Sequence, residues 1–440
     1  MPIHVFVRVF VTVLTAAAAV AGGVPATAHA PAPGADTVLA QTIAGMEVTL
    51  AVRRTGQVPG PLRVDLIPHT PVRAVPIEVT VRSDTSAAVT ADSVRFDRDA
   101  ARTYPLLLSV REKGLHWLEL HADGEFSQLP FQVKPPRAAP SELWVSWAFA
   151  AAAVLMFAAF GAAALNSRTV AMVLGSATGV ALVVGGTLAV VSPRVLPTAT
   201  PVTAATDPVG RPYAQSKISP SPRRPVAGAA FTLRIELVDG STGRPLDDLV
   251  PHHQALAHLV VTSADGDVFQ HLHPQRTASG RLEARLAAPE PGQYLVSVEF
   301  EREGAGGQLV SGRFEVTGRP TTVRTAAPTR LPTEPRQVVA TRPVSIAVKT
   351  GSGRVQPWLG MAGHLIVRDR QGGFLGHAHE LGSMATTAQP PDDTVHAYAP
   401  TLRFAFTFPE PGRYFVWVQY SRELRITTIP YVVDVRADTA

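Results

Sequence analysis

The stretch HLVVTSADGDVFQHLHP (His258–Pro274) has a counterpart about a hundred residues later in HLIVRDRQGGFLGHAHE (His364–Glu380). In both, a histidine is followed thirteen residues on by a second and two further on by a third. Six of the chain's 14 histidines thus fall into two copies of one spacing. In the first copy Asp265-Gly266 is a strong signal for a two-residue hairpin turn. That turn pairs Ala264 with Asp267 and, counted outward, sets His258 opposite His273. His271 then shares their face, while Leu259, Val261, Val268 and Leu272 take the other, core-facing side. In the second copy a Gln371-Gly372 turn sets His364 opposite His379, with His377 beside them and Leu365, Val367 and Phe374 behind. A slip of one residue would scatter these side chains to opposite faces.

Opposed Cβ atoms on paired strands lie about 5 Å apart and diagonal ones about 7–8 Å. Three imidazoles on one stiff ribbon can therefore close on a single ion at metal–nitrogen distances of about 2.0–2.1 Å. The alternative is a polar or structural pair with no ion. The residues between the histidines differ heavily while the three positions agree, which favours a shared ligand role for His258, His271, His273, His364, His377 and His379. Such open three-histidine sets suit zinc or copper. Met361 and Met384 flank the second triad, and thioether plus imidazole without thiolate leans toward copper, especially Cu(I). His252 and His253 in PHHQALAH are further ligand candidates; His396 reads as a loop residue. His69, His116 and His121 lack the spacing and read as structural.

Around these hairpins the chain reads as β-rich. Three blocks, at residues 41–134, 229–316 and 338–437, close alike: a glycine turn, an aromatic (Trp117, Tyr294, Tyr414), an alternating strand, a polar turn and a final strand. About 90–100 residues of short strands and Pro/Gly turns fit Ig-like or cupredoxin-like β-sandwiches. Pro/Thr/Ala-rich stretches at 192–228 and 317–337 read as extended linkers. No glycine-rich strand-to-helix motif is present, which sets aside Rossmann and P-loop chemistry.

Ahead of the triads, LWVSWAFAAAAVLMFAAFGAAAL (143–165) and TVAMVLGSATGVALVVGGTLAVV (169–191) are each long enough to span a bilayer. Three residues join them, so the expectation is an antiparallel hairpin of helices with no ionisable group inside either span, an anchor rather than an ion path. Trp144 and Trp147 suit an interfacial belt, and Arg168 in the joining loop agrees with a cytoplasmic turn. Residues 1–30, ending in AHA, read as a secretory signal, with an uncleaved anchor as the alternative. Both β-domain regions are then extracytoplasmic. The chain holds 40 basic and 35 acidic residues and no cysteine. Disulfides and thiolate chemistry are excluded, and the scattered charge argues against nucleic acid.

The pattern of AHLVV…QHLHP and GHLIV…GHAHE ahead of PEPGxY resembles the bacterial YtkA/FixH-like family of secreted, membrane-anchored proteins. That resemblance implies compact β-sandwiches, accessory copper handling and a partner among copper-handling or oxidase-assembly proteins. Carried onto this chain, it marks the same six histidines. The expectation is a metal-binding protein for copper delivery, buffering or resistance, its ions held on accessible ribbon faces. A structural or adhesive surface module is the alternative. A zinc hydrolase is the third reading, disfavoured because Glu380 and Asp267 read as surface residues rather than a placed general acid or base.

Overall fold

A computed structural model describes residues 37–53, 58–86, 89–133, 140–195, 213–321, 327–373, 375–383 and 396–438. The expected export signal (residues 1–30), Phe374 and Met384 lie outside the described residues.

Period-two alternation does form strands, and the strands form three two-sheet sandwiches. In the first, Thr37–Ile43, Met46–Val52, Gly60–Pro68 and Tyr104–Val110 make one sheet. Val89–Arg95, Pro76–Ser83, Gly114–Ala122 and Glu125–Val133 make the other. In the second, a five-stranded sheet centres on Gly292–Arg302, which pairs with Ala257–Ser263 and Gly306–Val316. In the third, Gly412–Arg422 holds the same place between His364–Asp369 and Arg425–Val435. Each sandwich encloses its own apolar core. Tyr294 and Tyr414 lock the corner before the central strand in the same way. Their hydroxyls donate to the carbonyls of Glu290 (3.0 Å) and Glu410 (2.9 Å), the tyrosine-corner bond of Ig-like sandwiches.

Both linkers are shorter than composition indicates. Ala214–Ser221 lies within the first, yet pairs antiparallel with Ala230–Asp239 as an outer strand. Pro220 is compatible with that position because an edge strand leaves some N–H groups unpaired anyway. Thr329–Arg330, within the second, pairs with Tyr431–Val432. The helices run Pro140–Ala164 and Arg168–Val195; Arg168, expected in the loop, opens the second. Trp147–Ala164 and Arg168–Thr187 are long and apolar enough to cross a membrane.

Candidate metal centre

The hairpin registers are those expected, through different turns. Leu259 pairs with Leu272 and Val260 with His271, which continues to His258 opposite His273. In the later copy His364 pairs directly with His379 and Ile366 with His377. Neither turn is a two-residue one. Ser263 closes on Val268, with Gly266 at φ 83° donating to the Ser263 carbonyl. Gly372, at φ 77°, donates likewise to Asp369. The first loop is longer by one residue on both sides, and in the second the last recorded pair is Arg368 with Leu375, so the parity of the strands, and with it the face of every histidine, is unchanged. Positive φ is what these two glycines supply.

The histidine faces are not accessible ribbons. They pack against each other at the junction of the second and third sandwiches. Val260, Ile366 and Trp417 form a buried apolar cluster there, flanked by Phe269, Leu375 and Phe415. Phe269 stacks on Trp417 with ring centroids 4.6 Å apart. Arg368 reaches across to the carbonyls of Ser263 and Ala264 (3.2 and 3.1 Å). The arrangement is pseudo-twofold: Phe415 crowds the Gly266 turn and Leu295 the Gly372 turn, so that neither has room for a Cβ. The first sandwich closes the remaining side. Thr42 and His273 exchange bonds, His273 N–H to the Thr42 hydroxyl (2.8 Å) and Thr42 N–H to the His273 carbonyl (2.9 Å).

The donor atoms of each triad lie within 4.8 Å of one another. In the first, His258 Nδ1 is 3.2 Å from both His271 Nε2 and His273 Nε2. In the second, His364 Nδ1 is 3.2 Å from His377 Nε2, and the buried His379 Nε2 has no hydrogen-bond partner. The opposite nitrogens are occupied by groups that can only accept. His258 Nε2 meets the His252 carbonyl (3.0 Å), His271 Nδ1 meets Gln419 Oε1 (2.8 Å), and His273 Nδ1 meets Glu47 Oε1 (2.6 Å). His364 Nε2 meets the Trp358 carbonyl (3.0 Å) and His377 Nδ1 meets Glu299 Oε2 (2.9 Å). The Gln419 amide is oriented by its own donation to Thr428 Oγ1 (2.9 Å), which turns its oxygen to His271. A neutral imidazole has one N–H, and here it points outward. The inward nitrogens are therefore lone pairs converging on a common point, the orientation metal-bound histidines take from their outer partners.

Burial first, and the charge of neighbouring histidines second, hold His258, His364 and His377 well below the ordinary histidine value. The same causes put His271 at about 3 and His379 at about 4. These five rings are neutral at physiological pH, which is the ligand form. Burial pushes the Glu47 carboxyl up, but His273, His69 and Thr42 together leave it lowered. Burial raises Glu299 against the pull of His252.

His252 and His253 sit in a tight turn at the cluster's rim. His252 Nδ1 bonds Glu301 (2.8 Å), and the His253 ring lies 3.9 Å from that of His379. The matching turn of the third sandwich carries Trp358, Leu359 and Met361; Trp358 covers the first triad, 5.7 Å from His271 and 5.9 Å from His273. Met361 pairs through its backbone with Trp358. His69 is buried against Thr49 (3.0 Å), while His116 and His121 lie against Phe131 and Phe126. His396 is exposed beside Tyr398, as a loop residue. Glu380 is a correction: it is buried, its carboxylate accepting the backbone N–H groups of Ser383 and Arg403, and so is not a surface residue. Glu47, Glu299, Gln419 and Trp358 are not singled out by the histidine spacing. Their one legible trace is that Glu299 and Gln419 are polar residues at the same place in the two strands that follow PEPG.

A family model described as a domain of unknown function (DUF8832) matches residues 215–317 and again 330–437, the two blocks that carry the triads. No curated protein matches the chain. Among solved structures, invasin, a bacterial integrin-binding protein, is 11% identical over 89% of this chain, with a TM-score of 0.16. The chain spans 60% of the length of that structure. CopC from Methylosinus trichosporium OB3b is 18% identical over 25% of this chain and 100% of its own, with a TM-score of 0.16. A putative membrane anchored protein from Corynebacterium diphtheriae is 9% identical over 92% of this chain and 96% of its own, with a TM-score of 0.17. At these scores the likenesses bear on neither site nor activity.

Proposed function

We propose that this is a membrane-anchored, extracytoplasmic metal-binding protein that holds copper for delivery or buffering, and is not an enzyme. One observation carries the reading. Five of the six triad histidines, all but His379, have their outward ring nitrogen engaged by an acceptor, leaving inward lone pairs free to ligate a cation. An all-imidazole donor set with no thiolate suits copper or zinc. The likeness to YtkA/FixH-like proteins favours copper, and the two apolar helices supply the anchor. With the site buried between sandwiches, transfer to a partner copper-handling protein requires the junction to open. This favours storage and regulated release over catalysis at an open coordination position.

The test uses the full chain in detergent, loaded with Cu(I), Cu(II) or Zn(II), desalted and assayed for metal per chain. A variant with His271, His273, His377 and His379 changed to alanine runs alongside, with circular dichroism as the check on folding. About two equivalents of Cu(I) in the parent, lost in a folded variant, are expected. A parent that retains no metal overturns the reading and leaves a surface module built on a polar junction.

A further inference from the structure

The two triads are supported crosswise. His271, in the second sandwich, donates to Gln419 of the third, and His377, in the third, donates to Glu299 of the second. Glu299 and Gln419 are equivalent positions: each is the register partner of its own sandwich's leading histidine, Glu299 of His258 and Gln419 of His364. The exchange is therefore reciprocal, as across an isologous interface. No wall divides the triads either. The His258 and His377 rings are 5.2 Å apart and those of His271 and His377 5.7 Å. Within a triad the His258–His271 and His364–His377 spacings are 5.5 and 5.4 Å.

Resting on the metal-binding reading, we infer that the two triads form one binuclear centre that takes a pair of monovalent copper ions, each half positioned by a residue of the opposite sandwich. Gln419 orients a ligand of the ion held by the second sandwich, and Glu299 orients a ligand of the ion held by the third. Ions this close repel, and the repulsion scales with the product of their charges. Two divalent ions repel four times as strongly as two monovalent ones. Cu(I) therefore fills both halves, whereas Zn(II) fills one and resists the second.

The experiment isolates each half in the full chain. His271→Ala with His273→Ala leaves only the third sandwich's triad, and His377→Ala with His379→Ala leaves only the second's. Cu(I) affinity is then read by competition with a chelator. Glu299→Leu, a change in the second sandwich, should weaken the third sandwich's triad by about 10–100-fold, and Glu299→Gln should largely restore it, since an amide already serves His271. Gln419→Leu should weaken the second sandwich's triad by a similar factor. In the parent, the second equivalent of Zn(II) should bind at least about tenfold more weakly than the first. If Glu299→Leu and Gln419→Leu leave the opposite triads unchanged while the parent binds metal, the crosswise centre is refuted and metal binding stands. Two equal, independent Zn(II) equivalents refute the paired centre. A parent that binds nothing removes both readings together.

Discussion

Acidifying the metal-free protein from pH 7.5 to 5.5 should loosen the junction of the second and third sandwiches while their cores remain sound. His258 and His364 are buried there and His271, His377 and His379 partly so, and desolvation, with neighbouring histidine charge behind it, holds all five below the ordinary value of 6.5. A lowered folded-state value gives stabilisation that is complete above pH 6.5. It is lost as pH falls from 6.5 toward about 4 for His379 and about 3 for His271. At pH 5.5 each ring kept neutral, while its unfolded counterpart is protonated, costs about 1.4 kcal/mol. Five rings would total about 7 kcal/mol. Admitting one proton per triad, shared among the inward lone pairs, reduces this to about 4 kcal/mol. For a unit of 150–250 residues that is a fall of roughly 8–16 °C in Tm. Trp358 and Trp417 sit in the junction, so tryptophan fluorescence during heating at pH 7.5, 6.5 and 5.5, with chelator present, reads it directly. A Tm that stays level over this range, or rises on acidification, refutes the account of buried neutral imidazoles.

Three further outcomes are expected. Glu47→Leu removes the acceptor of His273 Nδ1 and should lower metal affinity about 10–100-fold, with Glu47→Gln in between, measured by chelator competition. Ile366→Ala empties a fully buried position between the sandwiches and should cost about 2–4 kcal/mol at the junction. Calorimetry would show the junction transition moving ahead of the core transitions. Gly280→Ala should destabilise the second sandwich by more than about 2 kcal/mol, because at φ 65° its Cβ would meet the Leu237 carbonyl oxygen at 2.6 Å. A denaturation midpoint within error of the parent would count against it.

The burial of the histidine faces has a partial signature in the amino-acid pattern. HLVV and HLIV carry apolar residues at consecutive positions, and a strand with one solvated face does not need Val260 or Ile366 on its second side. That break in alternation marks a strand covered on both faces. Glu47 has no such trace. It lies 226 residues from His273, in a sandwich without the histidine spacing, and tertiary contacts such as those of Gln41 and Thr42 with the His273 backbone bring it in. The candidate ligands at the rim divide similarly. His253 comes beside His379 because the sandwiches dock, while Met361 remains part of the turn that presents Trp358.

What the sequence determines by itself is local: which residues alternate, where glycine permits a turn, and so which three imidazoles share a face of each hairpin. Strand parity is enforced by backbone geometry and survives a change of turn because both hairpins keep the expected register. What covers those faces is decided only by tertiary structure. Docking depends on the match of two whole surfaces, Val260 and Phe269 against Ile366 and Trp417, and on hydrogen bonds such as His271 to Gln419 and His377 to Glu299. No local period encodes that complementarity, so two separate triads in the sequence become one shared cluster only in the fold.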